Sequence, residues 1–138
     1  MDELVSWTKM GDMETRRYAG TVKYSMKFNW DKPVTSAVLN LGEVKDCARI
    51  KLNEKELGTL LGPSFKLKID NLIKGENSLE VEVTNVAANR IRDLDKRGIV
   101  WRNFYDINFV NIDYKPFDAS VWEIRDAGLL GPVTITEL

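Results

Sequence analysis

Planar polar side chains and aromatic rings gather in one part of this chain, and that mixture suits the recognition of a sugar. The run Asn85-x-x-x-Asn89-Arg90-Ile91-Arg92-Asp93 is followed by Trp101-Arg102-Asn103-Phe104-Tyr105-Asp106. Amide, guanidinium and carboxylate groups can bracket neighbouring hydroxyls, while an indole face covers the apolar side of a pyranose and supplies much of the affinity. Asn89, Arg90, Trp101, Arg102 and Asp106 are the candidates, joined by Trp122 in Phe117-Asp118-Ala119-Ser120-Val121-Trp122-Glu123. A purely structural use of the same residues is just as concrete. Asn85 and Asn89 suit loop backbone groups in need of partners, Arg90 suits an ion pair with Asp93 or Asp95, and Trp122 suits a plug at the end of a fold. Trp7 and Trp30 read as edge packing.

Histidine is absent and Cys47 is the single cysteine. That removes Ser-His-Asp and Cys-His nucleophiles, imidazole metal ligation, Cys-based zinc sites and any internal disulfide. Cys47 reads as a small buried thiol at the start of a strand. A glycosidase needs two carboxylates about 5–10 Å apart, one with a raised pKa. Many Asp and Glu are present, but they fall on outward strand positions (Glu80, Glu82) or in turns (Asp31, Asp70, Glu76), and no pair is singled out. Asp93 and Asp95 are a weak suggestion of oxygen ligands, without the acidic loop of an EF-hand. No catalytic residue, metal site or cofactor is expected.

The elements that must position these groups are strands. From Val38 to Asn85 apolar and polar residues alternate with period two, and Gly, Pro or Asn marks each join. Successive strand side chains point to opposite faces, so this is the pattern of short half-buried strands linked by tight turns. Val22, Tyr24, Met26 and Phe28 share one face of a first strand; Ala37, Leu39 and Leu41 form the next inward set. Ala48, Ile50 and Leu52 point inward while Arg49 and Lys51 point outward, as do Glu80 and Glu82 on the strand Leu79–Val83. If those two strands are neighbours, opposite charges pair across the sheet. From Val86 to Arg97 the alternation stops, and an ordered loop is expected rather than a short helical turn. Pattern resumes at Ile99–Trp101 and Ile107–Tyr114, and a turn at Gly128–Pro132 leads to a last strand. Eight or so strands without convincing helices predict an all-β sandwich, most simply a jelly roll. Residues 1–17 read as a lead-in and 18–138 as the sandwich, one domain in all.

Several of these residues carry a resemblance. The run Leu39-x-Leu41-Gly42-Glu43-Val44-x-Asp46-x-Ala48-x-Ile50-x-Leu52-Asn53 leads on to Leu57-Gly58-x-Leu60 and Pro63-x-Phe65. Gly75-x-Asn77-x-Leu79-x-Val81-x-Val83-Thr84-Asn85, Asn89-Arg90 and the closing Gly128-Leu129-Leu130-Gly131-Pro132-Val133 complete it. Together they resemble the galactose-binding-like jelly-roll sandwich of family 2 glycoside hydrolases, and more closely the C-terminal accessory domain of family 106 alpha-L-rhamnosidases. The resemblance implies a non-catalytic accessory domain that braces the catalytic domain of a parent glycosidase and contacts plant or microbial glycan. Two positions depart from it: Asn53 is followed by Glu54 where that family has glycine, and Leu61-Gly62 stand where it has tryptophan. An independent lectin-like module and a small stand-alone hydrolase are the alternatives.

Composition sets the outer limits. The 138 residues are 43% hydrophobic and 30% charged, with 20 basic against 21 acidic side chains. Such a chain can bury a core of its own and carries no overall field for nucleic acid or anionic membrane. Arg16-Arg17 and Lys96-Arg97 are its only adjacent basic pairs. No signal peptide or apolar run of bilayer length is visible, so a soluble chain is expected, periplasmic or extracellular as part of an exported parent.

Overall fold

The computed structural model describes residues 4–33, 36–103, 110 and 112–138. Nine strands run through the described residues, in three antiparallel sheets of four, three and two strands. The largest has the order β1 (Thr21–Trp30), β7 (Gly75–Thr84), β4 (Cys47–Leu52), β5 (Lys55–Leu60). The second sets β2 (Ala37–Asn40) between β6 (Lys66–Ile69) and β9 (Thr134–Glu137), and the third pairs β3 (Glu43–Lys45) with β8 (Gly128–Gly131). Leu39, Leu41, Ile50, Leu52, Ile69, Leu79, Val81, Val83 and Leu129 join in one core cluster drawing on all three sheets, each no more than 1% exposed. The architecture is an all-β sandwich, and the inward and outward rows fall where the alternation predicts.

The cross-strand pairing of charges is also as expected. Arg49 stands opposite Glu82 and Lys51 opposite Glu80 on adjacent β4 and β7. Arg49 reaches Glu82 at 2.5 Å, and Lys23 on β1 reaches Glu80 at 2.9 Å. These pairs lie in solvent and add little to stability; their effect is to fix which strands lie side by side.

Three expectations need correction. Residues Ala88–Lys96 form a helix, α2, not a loop. Cys47 is half-buried rather than buried, because it shares the strand parity of the outward Arg49 and Lys51. Ile99–Trp101 forms no strand, and of Ile107–Tyr114 most lies outside the described residues, with Val110 bridging only to Pro116. The N-terminal segment is tied in: Trp7 is 4% exposed and donates its backbone N–H to the Ala127 carbonyl at 3.1 Å, while Ser6 Oγ accepts from Ala127 N–H. A 3-10 turn over Trp7–Lys9 precedes a short helix, α1 (Met13–Arg17), capped by the Asp12 carboxylate on Thr15 N–H.

Two corners give the sandwich its shape. Strands β2 and β3 run alongside β9 and β8, so the four form one antiparallel ribbon that changes sheet at Gly42 and Gly131. A Cβ on Gly42 would lie 2.4 Å from the Gly131 carbonyl, so the ribbon folds there only because Gly42 lacks one. At the other corner the β4–β5 hairpin turns through Asn53 (φ 49°) and Glu54 (φ 65°). Two successive positive φ values make this a type I′ turn, which matches strand twist but disfavours a glutamate.

That hairpin is held by three asparagines. Asn53 Nδ2 donates to the Asn71 carbonyl and to Asn77 Oδ1, its Oδ1 accepts from Ser78 N–H, and Asn71 Nδ2 donates to the Leu52 carbonyl. Asn77, with no exposure, also accepts from Ile73 N–H and donates to the Ile73 and Gly75 carbonyls. An amide with every group partnered suits a dry interior.

Glu54→Gly is expected to stabilise the chain by about 1 kcal/mol, since glycine accepts the left-handed conformation without a Cβ clash. Thermal unfolding reads this as a rise of about 3–5 °C. Asn77→Leu strands several buried backbone groups and is expected to cost about 2–4 kcal/mol in urea denaturation, each orphaned group contributing about 1–3.

Candidate functional site

The helix α2 organises the candidate residues. Its apolar and polar positions follow a 3.6-residue repeat, so Asn89, Arg92, Asp93 and Lys96 share one face, while Asp95 points elsewhere. Asn89 is buried and spends both ends of its amide on the backbone of one residue: Nδ2 donates to the Arg125 carbonyl at 2.8 Å and Oδ1 accepts from Arg125 N–H at 2.9 Å. Asn85 does the same for the start of β1, accepting from Gly20 N–H and donating to the Tyr18 carbonyl. Both asparagines commit the oxygen and the nitrogen of the side-chain amide to neighbouring backbone, which ties them to the scaffold.

Arg90 is exposed and lines a shallow cavity of about 380 Å³ with Glu14, Arg17 and Tyr18, away from the aromatic candidates. It pairs with neither Asp93 nor Asp95. Asp93 instead takes Arg97 at 2.6 Å and Arg17 at 3.3 Å, locking α1 to α2.

Asp95 collects the other side. Its Oδ1 accepts from the Trp101 indole N–H at 2.5 Å, and its Oδ2 accepts from Ala119 N–H at 2.7 Å and faces Arg102 at 3.5 Å. Arg102 also donates to the Phe117 carbonyl, with its guanidinium 5.4 Å from the centres of both the Trp101 and Phe117 rings. Phe117 meets Trp101 and Trp122 edge to face, at 6.1 and 5.5 Å. Trp101, Arg102 and Trp122 are thus brought into one stack around Phe117, with Trp122 39% exposed. Asp106 lies outside the described residues. Phe117 and Asp95 are the members that sequence reading did not single out for sugar contact; the signal was an aromatic five residues before Trp122.

Asp93 and Asp95 are two residues apart on a helix and project to different sides, so they do not converge on one ion. Among the described residues no group of three metal-ligating side chains occurs. The carboxyls with a resolved shift, Glu80 and Asp118, both lie below the ordinary range. The chief cause at Glu80 is the hydrogen bond from Lys23, and at Asp118 the hydrogen bond from the Ser120 hydroxyl. A general acid needs the opposite shift. Leu61, which stands where the resembled sequences have tryptophan, is 77% exposed and leaves an aliphatic surface.

No family model matches the chain. A putative beta-glucuronidase of Formosa agariphila is 31% identical over 159 residues, covering 99% of this chain and 14% of its own. The solved rhamnosidase of Novosphingobium sp. PP1Y superposes over 100% of this chain and 13% of its own, with a TM-score of 0.78 and 25% identity. A beta-glucuronidase from an uncultured Clostridium sp. matches 59% of this chain and 15% of its own, with a TM-score of 0.53 and 32% identity. The chain's relatives are glycoside hydrolases, and it spans only 13–15% of their length. No helix among the described residues is long and apolar enough to cross a membrane.

Asp95→Ala removes the acceptor that the Trp101 indole, Ala119 N–H and Arg102 share. We expect a loss of about 2–3 kcal/mol, with tryptophan emission moving to the red as the Trp101 segment loosens. Emission unchanged in the folded variant would show that Asp95 does not hold the stack.

Proposed function

We propose that this chain acts as a non-catalytic, galactose-binding-like jelly-roll domain of a larger glycoside hydrolase, of the alpha-L-rhamnosidase kind. The observation that carries the reading is the disproportion in coverage: essentially all of this chain aligns with a small part of each hydrolase. Among the solved structures the rhamnosidase fits the whole chain where the glucuronidases fit 58–62% of it, which supports the rhamnosidase kind. The putative beta-glucuronidase aligned over 99% of the chain makes a glucuronidase the second reading of the parent.

Bracing is the first role. The loops between α2 and β8 expose Val100, Ile112, Tyr114 and Val121, each more than three-quarters accessible, as a surface awaiting a neighbouring domain would. Glycan contact is the second, carried by Trp122 and the half-buried Trp101 and Arg102, with Asp106 as a further candidate. Asn89 is left to hold the scaffold, and Arg90 stands apart from the aromatic candidates. A polysaccharide substrate places the parent outside the cytoplasm, in the periplasm or beyond.

Titration of the chain with pectin-derived oligosaccharides, followed by tryptophan fluorescence, tests the second role. Saturable quenching that Trp122→Ala removes is the expected result, and silence up to millimolar sugar leaves bracing alone. The surrounding reading frame is expected to encode a barrel domain. Release of nitrophenol from an aryl rhamnoside by the pure chain would overturn the non-catalytic reading.

A further inference from the structure

The only two adjacent basic pairs in the sequence, Arg16-Arg17 and Lys96-Arg97, stand eighty residues apart, yet the fold sets them around one cavity. This cavity, of about 300 Å³, lies where α1 packs against α2. Its charged lining is Arg16, Arg17, Arg92, Lys96 and Arg97 against a single carboxylate, Asp93. Asp93 is already shared by Arg17 and Arg97. Arg17 has a second partner in Glu14, and Arg92 directs Nε to the Trp122 carbonyl. Arg16, Lys96 and the remaining guanidinium donors of Arg92 therefore face the cavity with no anion among the described residues to balance them. The chain as a whole carries a net charge of −1, so this excess is local.

Cations held this close repel one another, and a guanidinium fork gains most from a planar or tetrahedral oxyanion that it can bind through two N–H groups. Met13 and Ile124 supply apolar walls to the same cavity. A hollow with apolar sides and convergent positive donors fits a charged substituent on a sugar ring better than a flat protein surface.

We propose that the cleft between α1 and α2 binds an anionic saccharide, through a uronate carboxylate or a sulfate ester held by Arg16, Arg92 and Lys96. The proposal rests on the reading of the chain as a domain of a glycan-processing enzyme, and its site lies on the Asp93 side of α2, distinct from the Trp101–Phe117–Trp122 stack.

The test is isothermal titration of the full chain with three oligosaccharides of equal length: oligogalacturonate, a sulfated carrageenan fragment free of uronate, and a neutral galactan fragment. Binding of either anionic sugar at least tenfold tighter than the neutral one, weakening between 50 and 200 mM salt, is expected, and the better anionic arm names the charged group. The R16S/K96S variant, altered only at exposed side chains, is expected to keep its melting temperature and lose at least tenfold in affinity. Trp122→Ala is expected to leave the preference for anionic over neutral sugar unchanged, which separates the cleft from the aromatic stack. Equal binding of neutral and anionic sugars, or none, overturns the proposal without touching the bracing role. Inorganic sulfate binding as tightly as the sulfated sugar, or an oligoglutamate peptide binding more tightly than either, overturns it in favour of a simple anion site or a protein contact.

Discussion

Burial of the inner rows of β7 and β4 against β2 is the interaction on which everything else depends. Leu79, Val81 and Val83 on one strand and Ile50 and Leu52 on its neighbour are at most 1% exposed, as is Leu39 across the interior. Side chains of this kind each contribute about 1.5–3 kcal/mol when removed from water. Because strand side chains alternate, the same pairing register that buries these residues throws Arg49, Lys51, Glu80 and Glu82 outward. A slip of one residue would reverse both sets at once. The register thus fixes the sheet order, and the sheet order decides where the loops and the one long helix are delivered.

What those loops deliver is divided by α2. Two acidic residues, Asp93 and Asp95, sit within one turn and each gathers a different set of neighbours. The first joins helix to helix and leaves a basic hollow beside the joint; the second assembles an aromatic stack from residues well separated in sequence. Buried carboxylates used in this way are costly unless fully hydrogen-bonded. Here each has at least two charged or N–H partners, which is why a nine-residue helix without an N-terminal side-chain cap keeps its place.

The core was legible in the sequence because one physical rule governs it. Period-two alternation marked β1, β2, β4 and β7 with the correct faces; parity set Arg49, Lys51, Glu80 and Glu82 outward, and the adjacency of β4 and β7 then pairs Arg49 with Glu82. The helix was not legible. Its sequence Ala88-Asn-Arg-Ile-Arg-Asp-Leu-Asp-Lys has only two large apolar residues, Ile91 and Leu94, so tertiary ion pairs supply what periodicity could not show. The error carried over to the site: on a loop, Asn89 and Arg90 look like neighbours facing one ligand, whereas a helix sends them about 100° apart. Cys47 failed for a simpler reason, since a thiol's usual preference for burial yields to the parity of the strand that carries it.

The meeting of Gly42 with Gly131 has a consequence beyond shape. A ribbon creased at two residues without side chains stays folded onto its own molecule, closing the sandwich from within. A methyl group on Gly42 would meet the Gly131 carbonyl and the Pro132 nitrogen, each closer than a real Cβ approaches. The bare Gly42 thus leaves room for not even one methyl group where the two ladders meet, so any side chain there would pry the sheets apart.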